Sequence, residues 1–245
     1  QFAAISQGLI AFRDDYGDYP PSFWNFPQPY CGAQKLAEAL VGRDMLGFNK
    51  YSTFDLADTT SYPPATATPV EWETSLNNRI GPYIDIATSN AYKLSDVYDS
   101  TVLAGSDLDG AQNTVVICDS FGVKKVTVTG PSGQTQVSKA GTPILYYKAN
   151  PSSNFDLTSG EPPERLPLNT NDNNPFLGLG KLLDDGTIGE QHWLGITLPV
   201  ADYVTDVKIR NLPGGRAVPY NRDSYILISA GYDGLFGTSD DITNF

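Results

Sequence analysis

Apolar residues open the chain at Phe2, Ile5, Leu9, Phe12 and Tyr16. Spacings of three and four predict an amphipathic helix over 1–16. Gly17 is placed to cap it, and Pro20-Pro21 forbid its continuation. A second helix is predicted over 32–45, with Ala33, Leu36, Ala37, Leu40 and Val41 on one face. A Thr/Pro-rich loop over 58–69 separates it from a short third helix at 71–80, which stacks Trp72, Leu76 and Ile80 and stops at Gly81-Pro82. The pattern then changes to β-branched and aromatic runs. These predict strands at 114–118, 123–129, 143–148, 203–211 and 224–230, with a hairpin turn at Gly130-Pro131-Ser132-Gly133. Residues 150–200 read as loop, with Pro162-Pro163 and a polar run at 169–174. Helices first and strands afterwards predict an α+β fold, with helix packed on an antiparallel sheet. The expected organisation is one domain over 1–245: a helix at 1–17, a helical and loop region at 32–113, and the sheet region at 114–245.

Composition narrows the function classes. The chain has 245 residues, a net charge of −12 and 11% aromatic residues, which favours a packed core over disorder. The negative field disfavours nucleic acid and anionic membrane surfaces as partners. There are 22 Asp against 6 Glu, with 15 Asn and 23 Gly. That balance favours turns, caps and oxygen-rich cation loops over helix coating. No apolar run approaches the roughly 18–20 residues of a membrane span.

Catalytic chemistry has little support. His192 is the only histidine and sits in a Gln-His-Trp setting, without a Gly-x-Ser-x-Gly elbow or a phosphate-binding glycine loop. Glu71 and Glu73 alternate and so point to different sides of a helix. The chain is read as non-enzymatic, with no catalytic residues assigned. Two cysteines, Cys31 and Cys118, allow a single bridge between the second helix and the sheet, or two buried thiols. Zinc is disfavoured by the lack of a Cys-x-x-Cys pair.

The best chemical signal is the tail from Ser229 to Phe245. Asp233, Asp240 and Asp241 fall in a short segment with Gly231, Gly234 and Gly237. Three close carboxylates repel unless solvent or a cation intervenes, and calcium takes six to eight oxygens from mixed side-chain and carbonyl donors. A solvated turn is the other reading. Two weaker loops, Asp107-Leu108-Asp109-Gly110 and Asp184-Asp185-Gly186, place paired acids before a glycine, which is also ordinary turn chemistry.

Several segments, taken in order, resemble the pseudopilins of type II secretion systems and the wider type IV pilin-like superfamily. The opening helix runs into Tyr16-Gly17-Asp18-Tyr19-Pro20-Pro21-Ser22, like the Tyr-Pro helix exit of that family. Cys118-Asp119-Ser120-Phe121-Gly122 resembles its Asp-Pro-Trp-Gly turn, with Ser120 and Phe121 substituted. Ile228-Ser229-Ala230-Gly231-Tyr232-Asp233-Gly234 resembles the major pseudopilin's Phe-Ser-Leu-Gly-x-Asp-Gly, and Asp241-Ile242-Thr243-Asn244-Phe245 its terminal Asp-Ile-x-Asn-Trp. The resemblance implies a pilin-like fold in which the N-terminal helix packs on the sheet, with large insertions, mainly at 49–113 and 151–201.

The resemblance further implies a periplasmic pseudopilus subunit that is anchored in the inner membrane by an N-terminal helix preceding this chain. Such a subunit polymerises through that helix with other pseudopilin subunits and secretion-system components. The chain is thus expected to be a soluble ectodomain. It also implies a C-terminal Ca2+ site with side-chain ligands from Asp233, Asp240 and Asp241 and carbonyl ligands from Ala230 and Leu235. Tyr232 stands where the family can carry a polar ligand, and Thr238 or water would substitute. In the oxidising periplasm a Cys31–Cys118 bridge becomes the working expectation. Two alternatives stay open: a type IV pilin or surface-fibre subunit for adhesion, and a secreted calcium-dependent hydrolase or carbohydrate-binding module. The last would need an aromatic platform around Trp24, Trp72 or Trp193.

Overall fold

The computed structural model describes residues 1–24, 26–86, 88–129 and 135–245. The turn expected at 130–133 lies outside the described residues. Helix α1, Phe2–Tyr16, buries Ile5, Gly8, Leu9 and Phe12, following the spacing of its apolar positions. It ends where the Gly17 N–H donates to the Arg13 carbonyl at 2.7 Å, with Gly17 in the left-handed region. The Gln1 side chain donates to the Cys118 carbonyl at 2.6 Å, tying the start of α1 to the strand layer.

Helix α2 spans Gly32–Val41 and stops short of the expected residue 45. Gly42 turns the chain at φ 85°, and a Cβ there would stand 2.1 Å from the Gly47 carbonyl oxygen, so only glycine closes this corner. All ten residues of α2 are buried, where the sequence predicts one apolar face. The polar ones are satisfied inside: Gln34 donates to Thr114 Oγ1 at 2.8 Å, Lys35 donates to the Phe23 carbonyl, and Glu38 accepts from Tyr30 and Ser52. Helix α3 covers Pro69–Asn77, with Pro69 in its first turn and a Thr68–Glu71 capping box at its start. The expected continuation to residue 80 is a strand instead.

Among the described residues the strands form four small antiparallel sheets, where the sequence predicts a single one. They are β1 (Phe48–Asn49) with β2 (Arg79–Ile80), β3 (Ala91–Lys93) with β4 (Val115–Ile117), β5 (Lys124–Thr129) with β6 (Thr135–Ala140), and β7 (Leu145–Lys148) with β8 (Tyr225–Ser229) and β9 (Ile242–Thr243). A bridge between Cys118 and Pro143, with the Ile144 N–H donating to the Ile117 carbonyl, joins the β4 end to β7. Short helical turns fill the connections: α4 (Leu94–Val97), α5 (Ser100–Leu103), α6 (Asn174–Leu177), α7 (Val200–Val204) and α8 (Val207–Arg210).

The strand expected at 203–211 is therefore two helical turns. Asp206 interrupts the β-branched run and caps α8, accepting from the Lys208 N–H at 2.9 Å. Segment 151–199 is mostly loop, as its composition predicts.

Two cores lie on opposite faces of the β7–β8 ladder. Leu145, Tyr147, Ile226 and Ile228 join one cluster with Cys31, Val116, Cys118, Phe176, Leu194 and Phe236. The alternate residues Tyr146, Tyr225 and Leu227 join the other, with Ile5 and Leu9 of α1 and Leu36 and Leu40 of α2. Period-2 alternation with both faces covered explains why every residue of β8 is buried. Helix α2 packs directly on β4 and β7, and α1 packs on α2, with Gly8 against Leu40 and Ile84. The molecule is thus a mixed helix and antiparallel-strand fold of the α+β kind with an N-terminal helix. No helix among the described residues is long and apolar enough to cross a membrane.

The segment leaving α1 is clamped by a buried polar pair, Ser22 and Asp172. Ser22 donates to Asp172 Oδ2 and accepts the Lys148 N–H at 2.8 Å. Asp172 Oδ1 is buried without a partner. Burial pushes the Asp172 carboxyl up to about 7 and the nearby Lys35 ammonium down to about 8. An unfolded Asp titrates near pH 3.9, so between about 4 and 7 the folded state holds a proton the unfolded state has lost. The stability carried by this group is present below about pH 4 and is lost as pH rises toward 7. Asp172→Asn is therefore expected to gain on wild type as pH rises through this window, by up to roughly 4 kcal/mol. Urea melts of both proteins from pH 4 to 8 measure this. Parallel stability curves would contradict it.

Candidate functional site

The tail becomes a closed loop because β8 and β9 pair. Ile228 lies opposite Thr243 and Ser229 opposite Ile242, so Ala230 and Asp241 flank the loop entrance. Gly231 makes the closure possible. It sits at φ 64°, and a Cβ there would stand 2.2 Å from the Asp240 carbonyl oxygen and 2.8 Å from its Oδ2.

Hydrogen bonds knit the expected ligands together. The Asp233 N–H donates to Asp240 Oδ2 at 2.9 Å, and Asp233 Oδ1 accepts the Leu235 N–H at 2.8 Å. The Thr238 hydroxyl donates to Asp240 Oδ1 at 2.6 Å and lies 3.3 Å from the Leu235 carbonyl oxygen. Asp241 Oδ2 accepts from the Gly237 N–H at 2.8 Å and from the Tyr203 hydroxyl at 2.6 Å. Asp241 Oδ1 is buried and has no hydrogen-bond partner. Burial pushes the Asp241 carboxyl up to about 6, whereas hydrogen bonds from Thr238 and Asp233 hold Asp240 below the usual carboxylate range. Ala230 is fully buried at the loop entrance and Tyr232 is exposed.

The structure thus gathers Asp233, Leu235, Thr238 and Asp240 into one network, with Asp241 held separately by Gly237 and Tyr203. It does not form a three-carboxylate cage: among the described residues, no group of three or more His, Cys, Asp or Glu side chains is arranged to hold a metal ion. The donors are all oxygen, the kind a hard cation takes, and Asp241 keeps a buried carboxylate oxygen without a partner. An ion here would rely on backbone carbonyls beside the aspartates.

Three supporting residues escape a reading by sequence pattern. Tyr203 sits in α7, inside the run taken for a strand. The second is His192, whose Nδ1 accepts the Phe236 N–H at 3.2 Å; its ring packs 4.8 Å from that of Phe236, and burial pushes it down to about 4. The imidazole is thus held buried and neutral against Phe236. The third is Asp119, whose Oδ2 accepts the Ser229 hydroxyl at 2.9 Å; the sequence marks it only as part of the Asp-Ser-Phe-Gly turn.

The other sequence candidates fall elsewhere. Cys31 and Cys118 are fully buried free thiols, which replaces the expected bridge. Cys31 is occupied as the N-cap of α2, while Cys118 continues the β4 strand and pairs its N–H with the Asn90 carbonyl. Burial pushes the Cys31 thiol up to about 12 and that of Cys118 well above its ordinary value, so neither is a ready thiolate. Asp109 and Asp185 serve turns, accepting from Gln112 at 3.1 Å and from the Thr187 N–H at 2.9 Å. Trp24 packs partly on the core, Trp72 is half-buried on α3, and Trp193 is exposed. Compared with known proteins, the chain matches no family model, no curated protein and no solved structure.

Proposed function

We propose that this protein is a pilin-like structural subunit of a periplasmic pseudopilus in type II protein secretion, stabilised by calcium in its C-terminal loop. One observation supports this reading above the others. The last strand pairs back on β8 to close a glycine-rich loop whose Asp241 keeps one buried oxygen without a partner. In this reading Asp233, Asp240 and Asp241 draw closer around a Ca2+ ion, with the Ala230 and Leu235 carbonyls and Thr238 or a water, and the ion locks the tail on the sheet. The function is assembly, not catalysis: an N-terminal helix anchored in the inner membrane carries the subunit into a fibre with other pseudopilins. The order of segments adds support, since the Tyr-Pro exit of α1, the Asp119 turn and the tail follow one another as in that family.

The test is genetic. In the source organism, deletion of the gene is expected to leave exported proteins in the periplasm, and the native gene is expected to encode a Gly–Phe cleavage site with a Glu five residues into an apolar helix. Normal export with loss of surface fibres would favour the adhesion-pilus reading instead. Normal export with fibres intact would reject both.

A further inference from the structure

The β5–β6 hairpin forms a two-stranded sheet of its own, so both its outer edges are unpaired among the described residues. Alternation gives it two unlike faces. On the inner face Val126 and Ala140 join the larger core, the Ser138 hydroxyl lies 2.8 Å from that of Tyr92, and Lys124 donates to the Asp185 carbonyl. On the outer face Lys125, Thr127, Val137 and Lys139 are all exposed, Val137 to 67%. Lys125 stands directly opposite Lys139, a like-charged pairing that works against the hairpin. Neither ammonium has an ion-pair partner among the described residues. Acids gather on the other side of the hairpin base. The Asp99 N–H donates to the Gly186 carbonyl at 2.8 Å, which sets Asp99 beside Asp185 and both near the Lys124 ammonium. Asp96 and Asp184 flank them in sequence, and all four acids are exposed.

We propose that the outer face of the β5–β6 hairpin docks on the acidic patch around Asp99 and Asp185 of a second copy of this chain. Charge complementarity selects that occupant. Lys124 and Lys125 point to opposite faces, so the basic face and the acidic patch look away from each other within one molecule. The lysines cannot close on their own patch, whereas the patch of another copy can reach them. Carboxylates placed over Lys125 and Lys139 would end the repulsion between the two ammoniums, and Val137 between them gives the contact an apolar centre. The net charge of −12 opposes association only over long range. At physiological salt that field is screened beyond about 8 Å, and the contacting charges decide. Two different surfaces meet, so the contact is head-to-tail: every added copy leaves one face and one patch free, and copies extend into a row. The contact depends neither on calcium nor on the pseudopilus reading.

The test is sedimentation of the full chain over a concentration series in chelator, at low and at high salt. Wild type is expected to sediment with a mean mass that rises with concentration toward roughly 1 mM, the range of weak polar contacts, and to return to the monomer in about 0.5 M salt. Lys125→Glu with Lys139→Glu is expected to weaken this association at least about ten-fold, because acids then face acids. Asp96→Lys with Asp184→Lys is expected to do the same from the other side. All four side chains are exposed, so melting is expected to stay within a few degrees of wild type. Mixing the two double variants is expected to restore association, since each then meets an opposite charge on the other. Wild type that stays monomeric across the series would overturn the proposal and leave the lysines as guards of an open strand edge. Association that survives both charge reversals, or that mixing does not restore, would overturn it too by placing the contact on another surface.

Discussion

Glu38→Ala is expected to cost about 3–5 kcal/mol, the usual cost of removing one partner from a buried charged pair. Glu38 has a fully buried side chain in α2 and accepts from the Tyr30 hydroxyl on Oε2 and the Ser52 hydroxyl on Oε1. Arg43 stands 3.7 Å from Oε2, with its own side chain 11% exposed. Its guanidinium also holds the loop after β1, donating to the Asp55 carbonyl at 2.9 Å, and lies 4.5 Å from the centre of the Tyr62 ring. Alanine would leave Arg43 buried without its counter-charge and two hydroxyls without their acceptor. For a chain of this size the melting temperature should fall on the order of 10 °C. Glu38→Gln keeps an acceptor for one hydroxyl and should fall less. A loss below about 1 kcal/mol would put this network on a par with an exposed pair such as Arg165–Glu161, and would contradict the account.

Calcium is expected to raise the melting temperature by about 5–10 °C at a hundred-fold excess over its dissociation constant, since binding to the folded state alone is worth about 2.7 kcal/mol there. The gain has a local origin. Asp241 keeps a desolvated oxygen without a partner beside the Asp240 carboxylate, so a cation relieves both the desolvation and the repulsion between these two acids. Asp233→Ala should abolish the rise while leaving the chelator melt nearly unchanged. The intact β8–β9 pairing lies outside that side chain. A rise that persists in Asp233→Ala would place calcium elsewhere on the molecule.

What could be read from the chain followed the strength of the local signals. The three-and-four spacing in α1, the alternating runs at β4, β5, β7 and β8, and the glycine-punctuated tail all reappear near their expected positions. Local pattern misled where tertiary context decided. Helix α2 carries the residues of an amphipathic helix, yet its polar face is also inside, because Gln34, Lys35 and Glu38 meet partners supplied by distant loops. The run at 203–211 has β-branched residues, but Asp206 is a better helix cap than a strand residue. Within the site, the carboxylates were legible from their spacing in the last residues. Tyr203 and His192 were not, because they reach the tail from segments 38 and 44 positions away. No periodicity encodes such contacts. The cysteines illustrate the same limit: two thiols can share a core without being in bonding geometry.

The most direct measurement is a crystal structure of the full chain grown in millimolar calcium chloride, with anomalous scattering to locate the ion. The account predicts one calcium ion in the C-terminal loop, bound by Asp241 with Asp233, Asp240 and backbone carbonyls completing an oxygen shell. A loop without an ion, with Asp241 Oδ1 hydrogen-bonded to water and the Thr238–Asp240–Asp233 network unchanged, would contradict it.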